Sequence, residues 1–295
     1  MASEKRPRTL MRLGAPAGIA AALLVYMFLE THVLGGYVFF ATVMSAMVLW
    51  SLWVTSLSHP GPVQSNLLGK PSTPTAKAAA NIIDASPPQT DTAWGETESR
   101  KRVSPAPGRA SSPTSITVSK KLFCGSCQSA RPIRTHHCRV CNDCIVRYDH
   151  HCAWVDNCVG ASNTKAFVLF LIYASITILH YLSSVFAYCS RGGIGATMSN
   201  APIVGTIQVI LVFIAAIGCM PAAVVVFSFL ASTVVSIARN CTTYEAQFDA
   251  EEAKAHNRGW LLNCKEVMGP QVHMWWVPTL VPSDAPHHGT RYHVV

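Results

Sequence analysis

Charge is what this sequence has least of. Only 13% of its 295 residues are Asp, Glu, Lys or Arg, where a soluble domain carries about 25%. Half the residues are apolar, and they are gathered into long runs without charge of either sign. That excludes a chain folded wholly in water. The small charge is also unbalanced, with 15 acids against 23 bases and a net +8. Nucleic acid is not the expected partner, because the bases flank apolar runs and no recognition helix follows the cysteines.

Crossing a hydrocarbon core about 30 Å thick takes roughly 20 mostly apolar residues. Four runs qualify, at 13–29, 37–57, 166–188 and 203–238. The first ends in "YMFLETH", which is no small-residue cleavage site, so a span is expected there rather than a signal peptide. The fourth exceeds one crossing and contains Pro221, so tilting, kinking or extension beyond the bilayer is expected. Of the 23 Lys and Arg, only Arg191 lies in a loop joining the first to the second or the third to the fourth run. The positive-inside rule then puts both termini and segment 58–165 in the cytosol, beside the lipid bilayer whose anionic surface attracts them. A reducing cytosol turns the eleven cysteines away from disulfides and toward metal or catalysis. The glycosylation triplet "NCT" at Asn240 is discounted on the same ground.

The fold expected is an α-helical multi-pass membrane protein with four transmembrane helices and a cytosolic, hairpin-rich, cysteine-rich domain. Residues 1–61 hold the N-terminus and two helices, 62–119 a Pro/Ser/Thr/Ala/Gly-rich linker expected to be disordered, 120–165 the cysteine block, 166–238 two helices and 239–295 a tail. "TTYEAQFDAEEAKAHN" reads as a short surface helix, with Thr242, Thr243 and Glu245 suited to its cap. "WLLNCKEVMG" reads as partly buried or interfacial. The last twenty residues, with Pro278, Pro282 and Pro286, are expected to lack order. Trp50, Trp53, Trp275 and Trp276 suit interfacial anchoring.

Seven cysteines and four histidines fall between Phe123 and Gly160. Structural zinc takes four Cys or His ligands, often from C-x₂-C turns, and such turns occur at 124/127 and, overlapping, at 138/141/144. Two closed sites need eight ligands. Six cysteines and two histidines would fill them, leaving one cysteine and two histidines. Counting does not say which cysteine is free, but local chemistry favours Cys152, which follows Asp149, His150 and His151. A histidine beside a thiol can make it a thiolate, and an aspartate can hold that imidazole in one tautomer.

The stretch "CGSCQSARPIRTHHCRVCNDCIVRYDHHCAWVDNCVG" resembles the cysteine-rich domain of the DHHC protein S-acyltransferases (palmitoyltransferases). "TTYE" at 242–245 resembles the family's TTxE motif, and "NCKEVMG" at 263–269 its conserved-asparagine segment. The resemblance implies one zinc at Cys124, Cys127, His137 and Cys144, and a second at Cys138, Cys141, His151 and Cys158. It makes Cys152 the nucleophile, His150 its base and Asp149 the orienting group, with both zinc ions structural. It leaves His136 without a role, as a solvated surface side chain.

The implied activity moves a palmitoyl group from palmitoyl-CoA to Cys152, then to membrane-proximal cysteines of substrate proteins. Arg131, Arg134, Arg139, Arg147 and Lys165 are then candidates for the CoA phosphates, with Arg131, Arg134 and Lys165 the first choices. The family also points to Golgi or ER membranes. Two positions depart from its pattern. Ala153 replaces the proline after the reactive cysteine, for which an altered rate is expected, and His59 replaces the acid of an Asp-Pro-Gly turn. A membrane-anchored zinc scaffold or adaptor without acyl chemistry is the competing class, but it would need only the zinc ligands, not Asp149, His150 and Cys152.

Overall fold

In a computed structural model of the chain, the residues described are 14–35, 37–61 and 123–281; the linker 62–119, the basic N-terminus and the end of the tail lie outside them. Among them are four helices long and apolar enough to cross a membrane. The first, α1, covers Gly14–Leu29 and continues as a π-helical turn through Leu34, where Gly35 in the left-handed region closes it (φ 62°). This moves Glu30 from the expected loop into the span. Its carboxylate is fully buried, 3.4 Å from His180 Nδ1, which also shares a 2.9 Å hydrogen bond with the Tyr26 hydroxyl.

Helix α2 is Val38–Leu57. Its buried residues are mostly small: Ala41, Ser45, Val48, Ser51, Leu52, Thr55 and Ser56. Spaced three and four apart, they form one face, and small side chains let helices approach closely in lipid. That face meets α3, Thr164–Ser190. After the short α4, Gly193–Asn200, comes α5, Pro202–Arg239, running unbroken through Pro221. At 1.5 Å per residue its 38 residues reach about 57 Å, far beyond one hydrocarbon core. Extension, among the expected alternatives, is therefore what the helix does, and it brings Phe229 to the ring of His150.

The cysteine-rich region consists of three antiparallel two-stranded hairpins. They pair β1 (Phe123–Cys124) with β2 (Ser129–Ala130), β3 (Thr135–Cys138) with β4 (Asp143–Val146), and β5 (His150–Cys152) with β6 (Asn157–Val159). The third is fastened to the end of α2: the Asn157 amide donates to the carbonyls of Thr55 (2.9 Å) and Ser58 (2.7 Å). The turn after α2 is fastened to β4 and the loop after β6. Gly61 O accepts from the Val146 N–H, Pro60 O accepts from the Ser162 N–H, and His59 Nε2 lies 3.8 Å from Asp143. At Gly160 a Cβ would come within 2.6 Å of Pro60 O and of the Ile145 side chain, so only glycine fits there.

The tail folds back on the spans through α6 (Thr243–Phe248), α7 (Ala250–Lys254) and α8 (Trp260–Met268). Asn263, Cys264 and Val267 are its buried face, while Trp260, Leu261 and Leu262 are exposed. Order persists further than expected. The Tyr173 hydroxyl donates to Trp276 O, Lys165 Nζ donates to Thr279 Oγ1 (2.8 Å) and Val281 N–H to Ser162 O. Hydrogen bonds from Tyr173 and Lys165 and a backbone bond to Ser162 hold this segment in spite of Pro278.

Candidate active site and metal clusters

Two groups of four Cys and His have ligand atoms within 4.8 Å of one another: Cys124, Cys127, His137, Cys144 and Cys138, Cys141, His151, Cys158. Antiparallel pairing supplies half of each, since His137 lies opposite Cys144 and His151 opposite Cys158. The turn of the preceding hairpin supplies the other half. Ligands about 2.0–2.3 Å from one centre and tetrahedrally placed sit about 3.3–3.8 Å apart. In the first cluster Cys127 Sγ lies 3.3 Å from His137 Nδ1 and 3.7 Å from Cys144 Sγ. In the second, Cys141 lies 3.4 Å from Cys158, and three sulfurs lie 3.5–3.8 Å from His151 Nδ1. Cys144 Sγ to His137 Nδ1 is longer, at 4.0 Å, and each sulfur-rich set of four donors fits zinc.

The clusters belong to a repeat that the sequence carries openly and that motif counting overlooks. Cys124, Cys138 and Cys152 are spaced by 14 residues, as are Cys127, Cys141 and Val155, and as are Gln128, Asn142 and Asp156. These last three all take the left-handed conformation, with φ of 51°, 51° and 46°. The chain thus makes the same knuckle turn three times. In the first two, the second cysteine's N–H points at the first cysteine's sulfur (3.4 Å in each). In the third, Val155 replaces the second cysteine, and among the described residues no further hairpin supplies a His–Cys pair. Cys152 is the sulfur this leaves over.

Strand alternation divides the adjacent histidines, because successive side chains in β5 point to opposite faces. His151 faces the second cluster; His150 and Cys152 face the other way. Asp149 Oδ2 lies 3.0 Å from His150 Nδ1, fixing the tautomer that leaves Nε2 available. That Nε2 is buried without a partner at hydrogen-bonding geometry, and the imidazole ring centre lies 5.5 Å from that of Phe167 and 6.0 Å from that of Phe229. Cys152 is close enough for it and His150 to shift each other's protonation. It is 5% exposed and packs in the same apolar cluster as Phe167, Leu169, Phe170 and Leu171 of α3.

The electrostatics point one way. Burial alone would raise the Cys152 thiol, but His150 and the backbone N–H groups of Val155 and Trp154 outweigh it and hold the thiol below its ordinary value. Burial works against the His150 cation as well, yet Asp149 and Cys152 lift it to about 9. Asp149 is held below the usual carboxylate range in spite of burial, chiefly by His150 and also by Thr243. The set favours a thiolate beside an imidazolium. The contact from Thr243, a backbone N–H 2.5 Å from Asp149 Oδ1, comes from the tail. Thr242 and Glu245 there form a full capping box on α6.

A family model described as DHHC palmitoyltransferase matches residues 117–249. Over 247 residues the chain is 30% identical to the probable protein S-acyltransferase 14 of Arabidopsis thaliana, covering 81% of this chain and 70% of that protein. This chain belongs to the DHHC family. It is also 34% identical over 166 residues to the probable protein S-acyltransferase 13 of Arabidopsis thaliana (55% of this chain, 53% of the relative). Identity is 32% over 164 residues to the human palmitoyltransferase ZDHHC15 (53% and 46%). The chain spans about half the length of these last two relatives.

Within this DHHC chain, the basic residues expected at CoA phosphates separate. Arg134 is spent on Glu245, with Nε 2.6 Å from Oε1 and Nη2 2.8 Å from Oε2, a bidentate pair that holds the tail on the hairpins. Lys165 is buried against Thr279, and Arg147 is buried toward Asn240. Arg131 lines a cavity of about 70 Å³ that also touches Arg134, His136 and His256. His136 is not the solvated side chain expected: it is 8% exposed, its ring 4.1 Å from that of Tyr244 and its Nε2 3.9 Å from Asp249. The tail covers it, and sequence counting could not see a residue more than 100 positions away. Ala153 is exposed at the start of the third knuckle turn, with Cys152 before it paired to Asn157.

Proposed function

We propose that this chain is a protein S-acyltransferase that carries a long-chain acyl group on Cys152. The observation behind the reading is the placement of Asp149, His150 and Cys152 on the face away from the metal ligands, with the thiol against the apolar cluster of the spans. The Cys152 thiolate attacks the thioester carbonyl of palmitoyl-CoA, a C–S bond forms to Cys152, and the bond to CoA sulfur breaks. The His150 imidazolium gives its proton to the departing CoA thiolate. In the second step neutral His150 takes the proton of a substrate cysteine, whose sulfur receives the acyl group, and Cys152 leaves as thiolate. One thioester replaces another at each step, so thiolate formation and positioning carry the rate. An acyl chain lying among the spans gains about 0.8 kcal/mol per buried CH₂. Two zinc ions, held by the eight Cys and His ligands, would brace the hairpins rather than take part in the transfer.

In this reading the hairpins and both chain ends face the cytosol, the membrane is of the Golgi or ER, and the acceptors are proteins with membrane-proximal cysteines. Of the three basic residues first expected at the CoA phosphates, the reading keeps Arg131 and gives Arg134 and Lys165 bracing roles. The test is incubation of purified chain with radiolabelled palmitoyl-CoA. Wild type should take up a hydroxylamine-sensitive label that Cys152→Ser does not. A folded, zinc-loaded wild type that stays unlabelled would leave only the zinc scaffold.

A further inference from the structure

The "NCT" triplet set aside as a glycosylation signal contains the most heavily bonded side chain near the site. Asn240 ends α5 in the left-handed conformation (φ 49°, ψ 42°) and is 1% exposed. Its Oδ1 accepts from Arg134 Nη1 (3.1 Å) and Arg147 Nη2 (3.2 Å). Its Nδ2 donates to Glu266 Oε2 (2.9 Å) and to His256 O (3.0 Å), and its own carbonyl accepts from Arg134 Nη2 (2.9 Å). A helix cap needs only the backbone conformation, for which Asn or Gly serves. The carboxamide does more: it turns its oxygen to two guanidinium groups and its NH₂ to a carboxylate. Aspartate has the same size, but cannot donate to Glu266 and would set two carboxylates against each other.

The position explains the arrangement. Arg147 stands two residues before Asp149, and Thr243 three residues after Asn240. Segments 147–149 and 240–243 are therefore joined at both ends, by Arg147 to Asn240 (3.2 Å) and by the Thr243 N–H to Asp149 Oδ1 (2.5 Å). We infer that Asn240 is a positioning residue for the reaction: it fixes the register of these two segments, so that the Thr243 amide meets Asp149 and Asp149 orients His150. The inference rests on the acyl-transfer reading and adds a residue to it. Asn240 touches neither substrate nor Cys152 and acts only through Thr243 and Asp149.

Two variants isolate the effect. Asn240→Gly keeps a residue suited to the left-handed cap and deletes the carboxamide. Thr243→Pro deletes the N–H at the first turn of α6, where proline is tolerated, after a residue whose extended conformation (φ −69°, ψ 161°) accepts it. The measurement is single-turnover formation of acyl-Cys152 across palmitoyl-CoA concentrations, with zinc content, on the full chain. A misplacement of about 1 Å can lower a rate about 100-fold. Each variant should therefore keep wild-type zinc and half-saturation, and lose about 10- to 100-fold in maximal rate. The double variant should lose no more than the worse single one, because both act through one contact. A zinc-loaded Asn240→Gly at wild-type rate would overturn the inference, as would losses that multiply in the double variant. If the glycine variant loses zinc, Asn240→Asp replaces it with the same expectation, and zinc loss in both makes Asn240 a folding residue and overturns the role. Wild type forming no acyl-Cys152 overturns the acyl-transfer reading itself, a result distinct from these.

Discussion

The second and third knuckles of this molecule are nearly the same piece of chain put to different use. "HHCRVCNDC" and "HHCAWVDNC", 14 residues apart, make the same hairpin, the same left-handed residue and the same opposed His–Cys pair. In the second knuckle Cys138 has Cys141 beside it and a following hairpin to complete a tetrahedral set. In the third, Val155 stands where the partner sulfur would be, and what faces Cys152 is His150 and the apolar residues of α3. A turn that presents backbone N–H groups to a metal-bound thiolate presents them equally to a free one. On the proposed reading, the same turn that serves a metal cluster in the second knuckle serves a reactive thiolate in the third, where Val155 replaces a ligand and His150 stands beside the remaining sulfur.

Serine at the two equivalent cysteines breaks the comparison most sharply. Cys138→Ser should cost the chain a zinc ion and with it the fold of the hairpins, since structural zinc contributes about 10–16 kcal/mol to a small metal domain. Cys152→Ser should keep both ions and the fold while acylation vanishes; metal analysis and circular dichroism distinguish the two.

The histidines come next. His151→Ala should release one zinc per chain. His150→Ala should release none and slow acyl-enzyme formation about 10²- to 10⁴-fold, the usual contribution of a general base. Zinc loss from both would show that strand alternation does not divide the pair.

Restoring the missing sulfur is a gentler test. Val155→Cys should leave zinc at two per chain, because among the described residues no further hairpin offers a His–Cys pair, and should make acylation dependent on reductant through pairing with Cys152. A third equivalent of zinc by elemental analysis would contradict this.

The smallest effect is on stability and concerns the clamp rather than the knuckles. Burial would raise Glu245, but Arg134 holds it below its ordinary value near 4.5. A carboxylate lowered in the folded state stabilises at pH above that ordinary value and loses its contribution as pH falls through the folded one. The advantage of wild type over Glu245→Gln in thermal unfolding should be constant from about pH 8 to pH 5 and shrink below about 4.5.

Much of this was legible in the residues. Four spans follow from apolar length alone, and the eight ligands from C-x₂-C spacing and the family pattern. Helix ends were harder: a π turn carries Glu30 into the bundle, where it lies 3.4 Å from His180, 150 positions later. Residues 276–281 are ordered by Tyr173, Lys165 and Ser162, not by their own composition. The same distance hid the clamp. Arg134 looked like a phosphate ligand because Glu245, its partner, lies 111 residues away, and Asn240 looked like a glycosylation signal because its partners are dispersed. The 14-residue period is the local signal of the third knuckle, and the valine that completes it is not a metal-ligating residue type. Nothing in the structure explains why alanine rather than proline follows Cys152.

The central claim is that one sulfur among the seven in the hairpin region is free to react while the others hold metal. Native mass spectrometry of the intact chain after exposure to palmitoyl-CoA tests it in one spectrum. The account predicts two zinc ions and one acyl group on the same molecule, with two zinc ions and no acyl group on Cys152→Ala. An acyl group appearing only as zinc is lost, or persisting on Cys152→Ala, would contradict it.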